Sequence, residues 1–518
     1  MQTEKIPLED TDCFSRFFID YLSQKPELSP FYRDFPGLQN FEQTIKERKF
    51  DDENRIVLNR VLSKQYEALD ASPLVKTNIE RLKDTKTFTI TTGHQLNIFT
   101  GPLYFLYKII TVINACKVLK QTYPEYQFIP VYWMASEDHD FEEINHFYFR
   151  DKKYEWHSDQ TGAVGRFNPN GLAELAKSLP KSADFFKEAY QKTNLAEAVR
   201  SYVNHLFGEE GLVVIDADDK ELKQRFSPVI KSDLLAHTPF QLVPGDSEKI
   251  EALGYKTQIN CREINFFYLD GTIRERIETE GEGFRVLNTD LTFTVSEMEQ
   301  LITDHPECFS PNVILRPLYQ ETILPNLAYV GGPSEVVYWL QLKSVFEHFN
   351  TAFPLLMPRN FATIVSETAR TKWEKTELTY TDLFHDVDAI FTKWVKTHSS
   401  NDLSLQKEVD QIKHVYSELE EKMEKVDPTL RQHIEALYAK AEKSVFNAEK
   451  KLVRAEKRKQ REKHGQIEQV KNVLFPGGTL QERRDNFLNF HERDPEFIQK
   501  LLDTFDPFDY QMYLLFTE

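Results

Sequence analysis

Hydrophobic and polar positions change rhythm several times along this chain, and each change predicts an element. Residues 1 to about 80 carry helical spacing with aromatic patches such as Phe14, Phe17, Phe18 and Tyr21, which predicts helices covering one edge of a core. The β-branched run Thr87 to Thr92 then predicts a strand, Gly93 to Pro102 a loop, and Tyr104 to Leu119 an amphipathic helix. Phe128, Ile129, Val131, Tyr132 and Trp133 read as a second strand, buried on both faces, so the stretch forms one β-α-β unit. A second unit is expected where Gly211 to Asp216 leads into a helix near Lys220 to Ala236. The polar, helical segment 151–200 looks inserted between them. Alternating runs at Asn265 to Leu269 and Ile273 to Ile277 flank Asp270-Gly271, the pattern of a small antiparallel β element within 240–300. Apolar strands and Gly/Pro loops return from Asn312 to Ile364 and are expected to close the core sheet.

The rhythm changes again near residue 403, where charged residues surround a regular stripe. Leu405, Val409, Ile412, Tyr416, Leu419, Met423 and Val426 alternate steps of four and three, which is heptad spacing. Asp427-Pro428 supplies a cap and first-turn proline for a second helix with Leu430, Ile434, Leu437 and Ala441 on one face. Two helices meeting at this break predict an antiparallel coiled coil, either an arm that pairs subunits or ordinary bundle helices packed on the body. The expected division is therefore a first part of the core at 1–150, a helical insertion at 151–200 and more core at 201–240. A small β-containing insertion follows at 241–300, the second part of the core at 301–400 and the coiled coil at 401–472. The last segment, 473–518, packs on the body.

Composition narrows the class of partner. A chain of 518 residues with a net charge of −18 repels nucleic acid and membrane surfaces over most of its surface, so neither partner is expected. Lys451 to Lys463 departs from this, with seven basic side chains against Glu456 and Glu462; a solvated helix face is its default reading. Cys13, Cys116, Cys261 and Cys308 stand far apart, with no Cys-x-x-Cys spacing to suggest zinc or a disulfide framework. Neither a secretory signal nor an apolar run of membrane-spanning length is found, and a cytoplasmic location is expected.

Three blocks carry candidate chemistry. The first is the loop Gly93-His94-Gln95-Leu96-Asn97-Ile98-Phe99-Thr100-Gly101-Pro102, placed between a strand and a helix where free N–H groups favour an anion. Lys108 on the first turns either faces that anion or is solvated. The second is Glu137-Asp138-His139-Asp140 at a strand end, which admits metal ligation, acid/base chemistry, or capping of a helix beginning at Phe141. Capping explains one or two acids but not the histidine. The third joins Arg316, suited to a bidentate carboxylate or phosphate contact, to Gly331-Gly332-Pro333-Ser334-Glu335 and Tyr338. Here glycines let backbone approach a ligand and Ser334 caps the next helix, or the segment is a plain turn and cap. Arg359 adds a cation in an apolar context, unless it pairs internally with Glu335.

Taken jointly, these blocks resemble one family. Gly93-His94-Gln95 through Thr100-Gly101-Pro102-Leu103-Tyr104 with Lys108-Ile109, then Glu137 to Asp140 with Glu143-Ile144-Asn145, then Arg316-Pro317 through Glu335 with Tyr338-Trp339, are similar to the bacillithiol-synthesis cysteine-adding family, BshC. Phe475-Pro476-Gly477-Gly478 to Arg483 extends the likeness toward the end of the chain. The resemblance implies an α/β fold: a Rossmann-like parallel-sheet core with connecting-peptide insertions and a C-terminal α-helical antiparallel coiled coil that dimerises. It further implies a carbon–nitrogen ligase joining cysteine to the amine of glucosaminyl-malate, with no tightly bound cofactor and ATP as a candidate co-substrate. On that basis His139, helped by Asp138 or Asp140, is expected to transfer the proton, and Glu137 to hold an ammonium. The Gly93 to Gly101 loop with Lys108 would hold phosphate or carboxylate, and Arg316 or Arg359 the malate. Two readings compete: a metal-dependent amide hydrolase using the acidic cluster with His94, and a non-catalytic coiled-coil assembly protein.

Overall fold

The computed structural model describes residues 1–517. At its centre lie five parallel strands: β1 (Thr87–His94), β2 (Gln127–Met134), β3 (Val213–Asp216), β4 (Asn326–Gly331) and β5 (Leu355–Pro358). Their spatial order is β5-β4-β1-β2-β3. Nearly every residue of β1, β2 and β4 is buried, as both-face coverage by helices requires. Helix α1 (Tyr104–Thr122) makes the crossover from β1 to β2, and α2 (Lys220–Ala236) follows β3. After β3 the chain crosses to the other side of β1, so the strand order reverses between β1 and β4. A doubly wound sheet opens its ligand crevice at the carboxyl ends of the strands flanking such a reversal. Helix α3 (Arg316–Ile323) precedes β4, and α4 (Pro333–Trp339) follows it directly.

Two parts of the chain depart from the expected boundaries. The antiparallel insertion is a five-stranded sheet whose hairpin, Phe266–Asp270 with Ile273–Glu280, turns at Gly271-Thr272; its edge strand Phe309–Pro311 comes from beyond residue 300. The run through Ile364, expected in the core sheet, stops contributing to it at Pro358. Phe361–Ser366 instead pairs in parallel with the C-terminal strand Gln511–Thr517, which pairs antiparallel with Gln2–Pro7. A strand whose partner lies about 150 residues away leaves no mark in the local pattern.

Near residue 406 the helical arm begins. Helix α5 (Gln406–Glu424) and helix α6 (Arg431–Lys459) pack antiparallel about a turn in which the Asp427 carboxylate accepts from Thr429 N (2.9 Å). Along the heptad stripe Val409 is buried, Ile412, Tyr416 and Met423 are half-buried, and Tyr416 meets Tyr438 across the seam at 5.9 Å. Leu419 is exposed, and Val426, 83% exposed, lies past the end of α5 in the turn. The basic stretch is partly engaged by the body: Lys457 bridges Asp388 (2.8 Å) on the helix Val387–His398. Helix α7 (Arg461–Leu474) then returns along that helix.

One ion pair fastens the arm's return segment to the core. The Arg359 guanidinium, just after β5, grips Glu482 through two bonds of 2.6 and 3.0 Å, with both side chains at most 2% exposed. Glu482 also accepts from Ala362 N (3.2 Å), and Arg359 lies over the rings of Phe361 and Tyr104. Removing one partner of such a pair strands a charge in a dry interior, at a cost of about 3–5 kcal/mol. Arg359→Met is therefore expected to lose about that much in equilibrium denaturation, while Arg359→Met with Glu482→Leu recovers part of it. A single variant within about 1 kcal/mol of the parent would show that the pair is not what joins the two regions.

Candidate active site

The strand reversal opens a cavity of about 600 Å³. Its floor is built where β1, α1 and α4 meet. Lys108, 3% exposed, donates to Gly93 O at the end of β1 (2.8 Å) and to Glu335 Oε1 on α4 (2.6 Å). The lysine is thus buried and paired rather than solvated. Burial presses it below its ordinary value. Burial pushes Glu335 the other way, but Lys108 outweighs that and holds the carboxylate below its usual range. Glu335 Oε2 accepts from Gly332 N (2.9 Å), which also caps α4 from its third residue. Ser334, expected as the cap, is exposed in the first turn instead, because Pro333 opens the helix and Glu335 supplies the return bond. A methyl group on Gly93 would stand 3.2 Å from the Tyr329 hydroxyl and 3.5 Å from Arg316, so a larger residue crowds the wall here.

The walls carry opposite charges in separate places. Arg316 lies over Tyr329 and Trp339, donates to Gln320 (3.2 Å) and to the Tyr338 hydroxyl (3.3 Å), and has no carboxylate partner among the described residues. His94 is a lining residue whose Nδ1 lies 3.0 Å from Gln95 O; burial, with Lys108 beside it, pushes it down to about 3. A ring nitrogen facing a carbonyl carries the proton, so His94 is neutral with a free Nε2.

At the end of β2 the acidic run divides. Glu137, Asp138 and His139 line the cavity, whereas Asp140 is exposed and outside it. Asp138 accepts from Gln95 Nε2 (3.0 Å) and from His139 N (2.7 Å). Burial opposes ionisation there, but the donors of His139, Arg274 and Gln95 hold the carboxyl well below the usual range. Arg274, buried in the insertion sheet, stands 2.5 Å from His139 Nδ1. A guanidinium only donates, so Nδ1 accepts and the imidazole proton sits on Nε2. Glu137 pairs with Lys223 of α2, which also reaches Asp218 (3.2 Å), and Arg166 takes Asp218 in a fork of 2.8 and 3.1 Å. Burial, opposed by Lys223 and reinforced by Asp218, pushes Glu137 up to about 7.

Several expected site residues stand elsewhere. Thr100 and Gly101 face away from the cavity: Asn486 Nδ2 donates to Phe99 O and Gly101 O (2.7 Å each), and Leu103 N to Asp485 O (2.8 Å). Phe99, Thr100 and Gly101 have φ of 51°, 69° and 61°, a left-handed run that these bonds hold in place, and Phe99 N and Gly101 N are spent on the Tyr190 hydroxyl (2.7 Å) and Ile98 O (2.9 Å) rather than free for an anion. Gly331 and Gly332 are not among the residues that line the cavity. Arg359 is bound to Glu482 behind Tyr104, so it pairs neither with Glu335 nor with a ligand. Conversely, Arg262, Arg274, Arg276 and Asn265 from the insertion line the cavity and were not singled out by sequence. Alternation along Ile273 to Ile277, which puts Arg274 and Arg276 on one face, was the available signal. Nothing local marked Arg262 or Lys223. No three His, Cys, Asp or Glu side chains converge as a metal site among the described residues.

Comparison with known proteins agrees with this layout. Residues 1–360 match the family model described as "Bacillithiol biosynthesis BshC, N-terminal Rossmann-like domain", and residues 362–517 the one described as "Bacillithiol biosynthesis BshC, C-terminal coiled-coil domain". Relatives named "Putative cysteine ligase BshC" include one from Cytophaga hutchinsonii, 42% identical over 512 residues and covering 98% of each chain. Another, from Flavobacterium psychrophilum, is 42% identical over 524 residues at the same coverage. One from Chlorobaculum tepidum is 29% identical over 545 residues, covering 97% of this chain and 96% of its own. With both domains matched, and with relatives aligned over nearly their whole length, the chain belongs to the BshC family.

Proposed function

We propose that this protein is a ligase that joins the carboxyl of cysteine to the amine of glucosaminyl-malate, with the amide formed in the crevice between β1 and β4. The observation that carries the reading is the charge pattern of that cavity. Lys108, Arg262, Arg274, Arg276 and Arg316 surround a space that also holds Glu137, a carboxyl poised near neutrality. A substrate with two carboxylates and an amine needs both kinds of partner.

The amine must shed a proton before it attacks, and the carboxyl must be activated first. ATP is the natural source: transfer of AMP to the cysteine carboxylate releases pyrophosphate, and attack by the amine expels AMP. Glu137 is the proton acceptor in this reading, because a base works best with a pKa near the working pH. In the geometry described, His139 Nδ1 is occupied by Arg274, which leaves its Nε2–H as a donor. Arg316, raised above its ordinary value with burial opposing and Tyr338 and Tyr329 favouring the charge, stays cationic and can face a departing anion.

The arm suits assembly. Val415, Leu419, Phe446 and Leu452 remain exposed on the helical hairpin, an apolar surface that pairing with a second copy would cover. Val415→Glu with Leu419→Glu is expected to turn a dimer into a monomer in sedimentation, and an unchanged dimer would place the interface elsewhere.

Incubating the protein with cysteine and glucosaminyl-malate should give the condensed thiol by mass spectrometry when ATP is present, with AMP accumulating in step. Absence of product with any energy source would refute the ligase reading. Because a base must be ionised to act, the rate should rise with pH through about 7. Glu137→Gln should lose that rise and about 10²–10⁴ in kcat. A Glu137→Gln enzyme with an intact pH profile would return the role to another group.

A further inference from the structure

Two cations in the cavity are left unclaimed. Among the described residues, Lys108 is bound to Glu335, Arg274 to His139 and Asp138, and Arg316 to Gln320 and Tyr338. Arg262 and Arg276 line the same cavity, are exposed, and have no side-chain hydrogen bond or ion pair. An unpaired arginine on open surface is unremarkable; these two sit on a scaffold built to hold them.

The backbone around Arg262 is pinned from both ends. Arg262 N donates to Asn265 Oδ1 (3.2 Å), and Asn265 Nδ2 donates back to Arg262 O (2.8 Å). Asn265 is itself 1% exposed and anchored to the buried Asp233 through its N (2.6 Å) and Nδ2 (3.0 Å). Upstream, the Gln341 side chain clasps the loop, accepting from Gln258 N (2.9 Å) and donating to Ile259 O (3.0 Å). A loop with three buried polar anchors is preorganised, yet the one long side chain it presents to the cavity has no partner in the protein. Arg276 is held by the sheet. It lies opposite Phe267 in the hairpin register and shares a face with Arg274, whose guanidinium lies 4.1 Å from the Phe267 ring centre and enters the crevice.

We propose that Arg262 and Arg276 form the subsite for a dicarboxylate group carried by the amine substrate, so that the insertion selects the acceptor while the core sheet handles the reacting carboxyl. The assignment rests on the ligase reading above. Two guanidinium forks match two carboxylates, and each charge-assisted contact of this kind changes affinity by about 10- to 100-fold. It replaces the sequence-based assignment to Arg316 or Arg359, the latter of which Glu482 already occupies.

The test uses the full-length protein with Arg262→Gln, Arg276→Gln and the double variant, each checked for an unaltered thermal unfolding curve. KM for glucosaminyl-malate should rise about 10- to 100-fold per substitution while KM for cysteine does not follow. An acceptor with both carboxyls converted to amides should be poor with the parent and no poorer with the variants. Calorimetric titration with malate alone, and separately with pyrophosphate, reads binding without turnover. Loss of malate binding in the variants supports the subsite even where the parent makes no amide, so that the ligase reading alone would fall. An unchanged acceptor KM in variants of a parent that does condense the substrates overturns the subsite and leaves the ligase reading standing. Weakened pyrophosphate binding with intact malate binding would assign the arginines to phosphate and overturn the proposal.

Discussion

The pair between buried Lys108 and half-buried Glu335 is the contact around which this molecule is arranged, because it closes the sheet at the point where the strand order reverses. The lysine arrives from the helix after β1 and the glutamate from the helix after β4, and the lysine also takes the Gly93 carbonyl near the end of β1. A lone ammonium at 3% exposure would cost several kcal/mol. Pairing it with a carboxylate that is itself hydrogen-bonded to Gly332 N removes that cost and makes a rigid polar floor. Gly93 then fits against Tyr329 and Arg316, and a methyl group there would crowd the Tyr329 hydroxyl at 3.2 Å.

Above this floor the sign of the charge is opposite to that of the chain as a whole. A protein of net charge −18 gathers three arginines from one insertion, with Lys108 and Arg316 from the core, around a single cavity. Such a concentration in a partly enclosed space attracts anions despite the surrounding surface. Three carboxylates nearby are each assigned a cation: Asp138 to Arg274, Asp218 to Arg166 and Lys223, Glu335 to Lys108. Burial lifts Glu137 toward neutrality, with Asp218 reinforcing the lift and Lys223, which the two carboxylates share, opposing it.

What could be read from the sequence follows from range. The β1-α1-β2 unit, the β3-α2 unit and the 266–280 hairpin are written in local periodicity, and all three stand where that periodicity put them. The heptad stripe likewise forms the arm's seam at Val409, Ile412, Tyr416 and Met423, but Leu419 is exposed and the stripe fails at Val426, where the helix has already ended. Residues whose role depends on distant partners were opaque. Lys108 reads as either a ligand for an anion or a solvated lysine until Glu335, 227 positions away, is brought beside it. Arg359 looks like a ligand group until Glu482 claims it. The Gly93 to Gly101 loop looks like an anion cradle until Asn486 and Asp485 are found on its backbone. The acidic run at the end of β2 was legible as a site, since charges at a buried strand end are costly without a purpose. Its division between a poised Glu137 and an arginine-bound His139 was not, because Lys223 and Arg274 come from elsewhere in the chain.

The central claim is that the crevice at the strand reversal is where the acceptor sits. A crystal structure of the protein grown with glucosaminyl-malate tests it most directly. The account predicts density for the acceptor between Gly93 and Arg262, with its amine within about 3 Å of Glu137. An empty crevice, with the acceptor bound instead in the groove beside Arg370, Arg484 and Arg493, would contradict it.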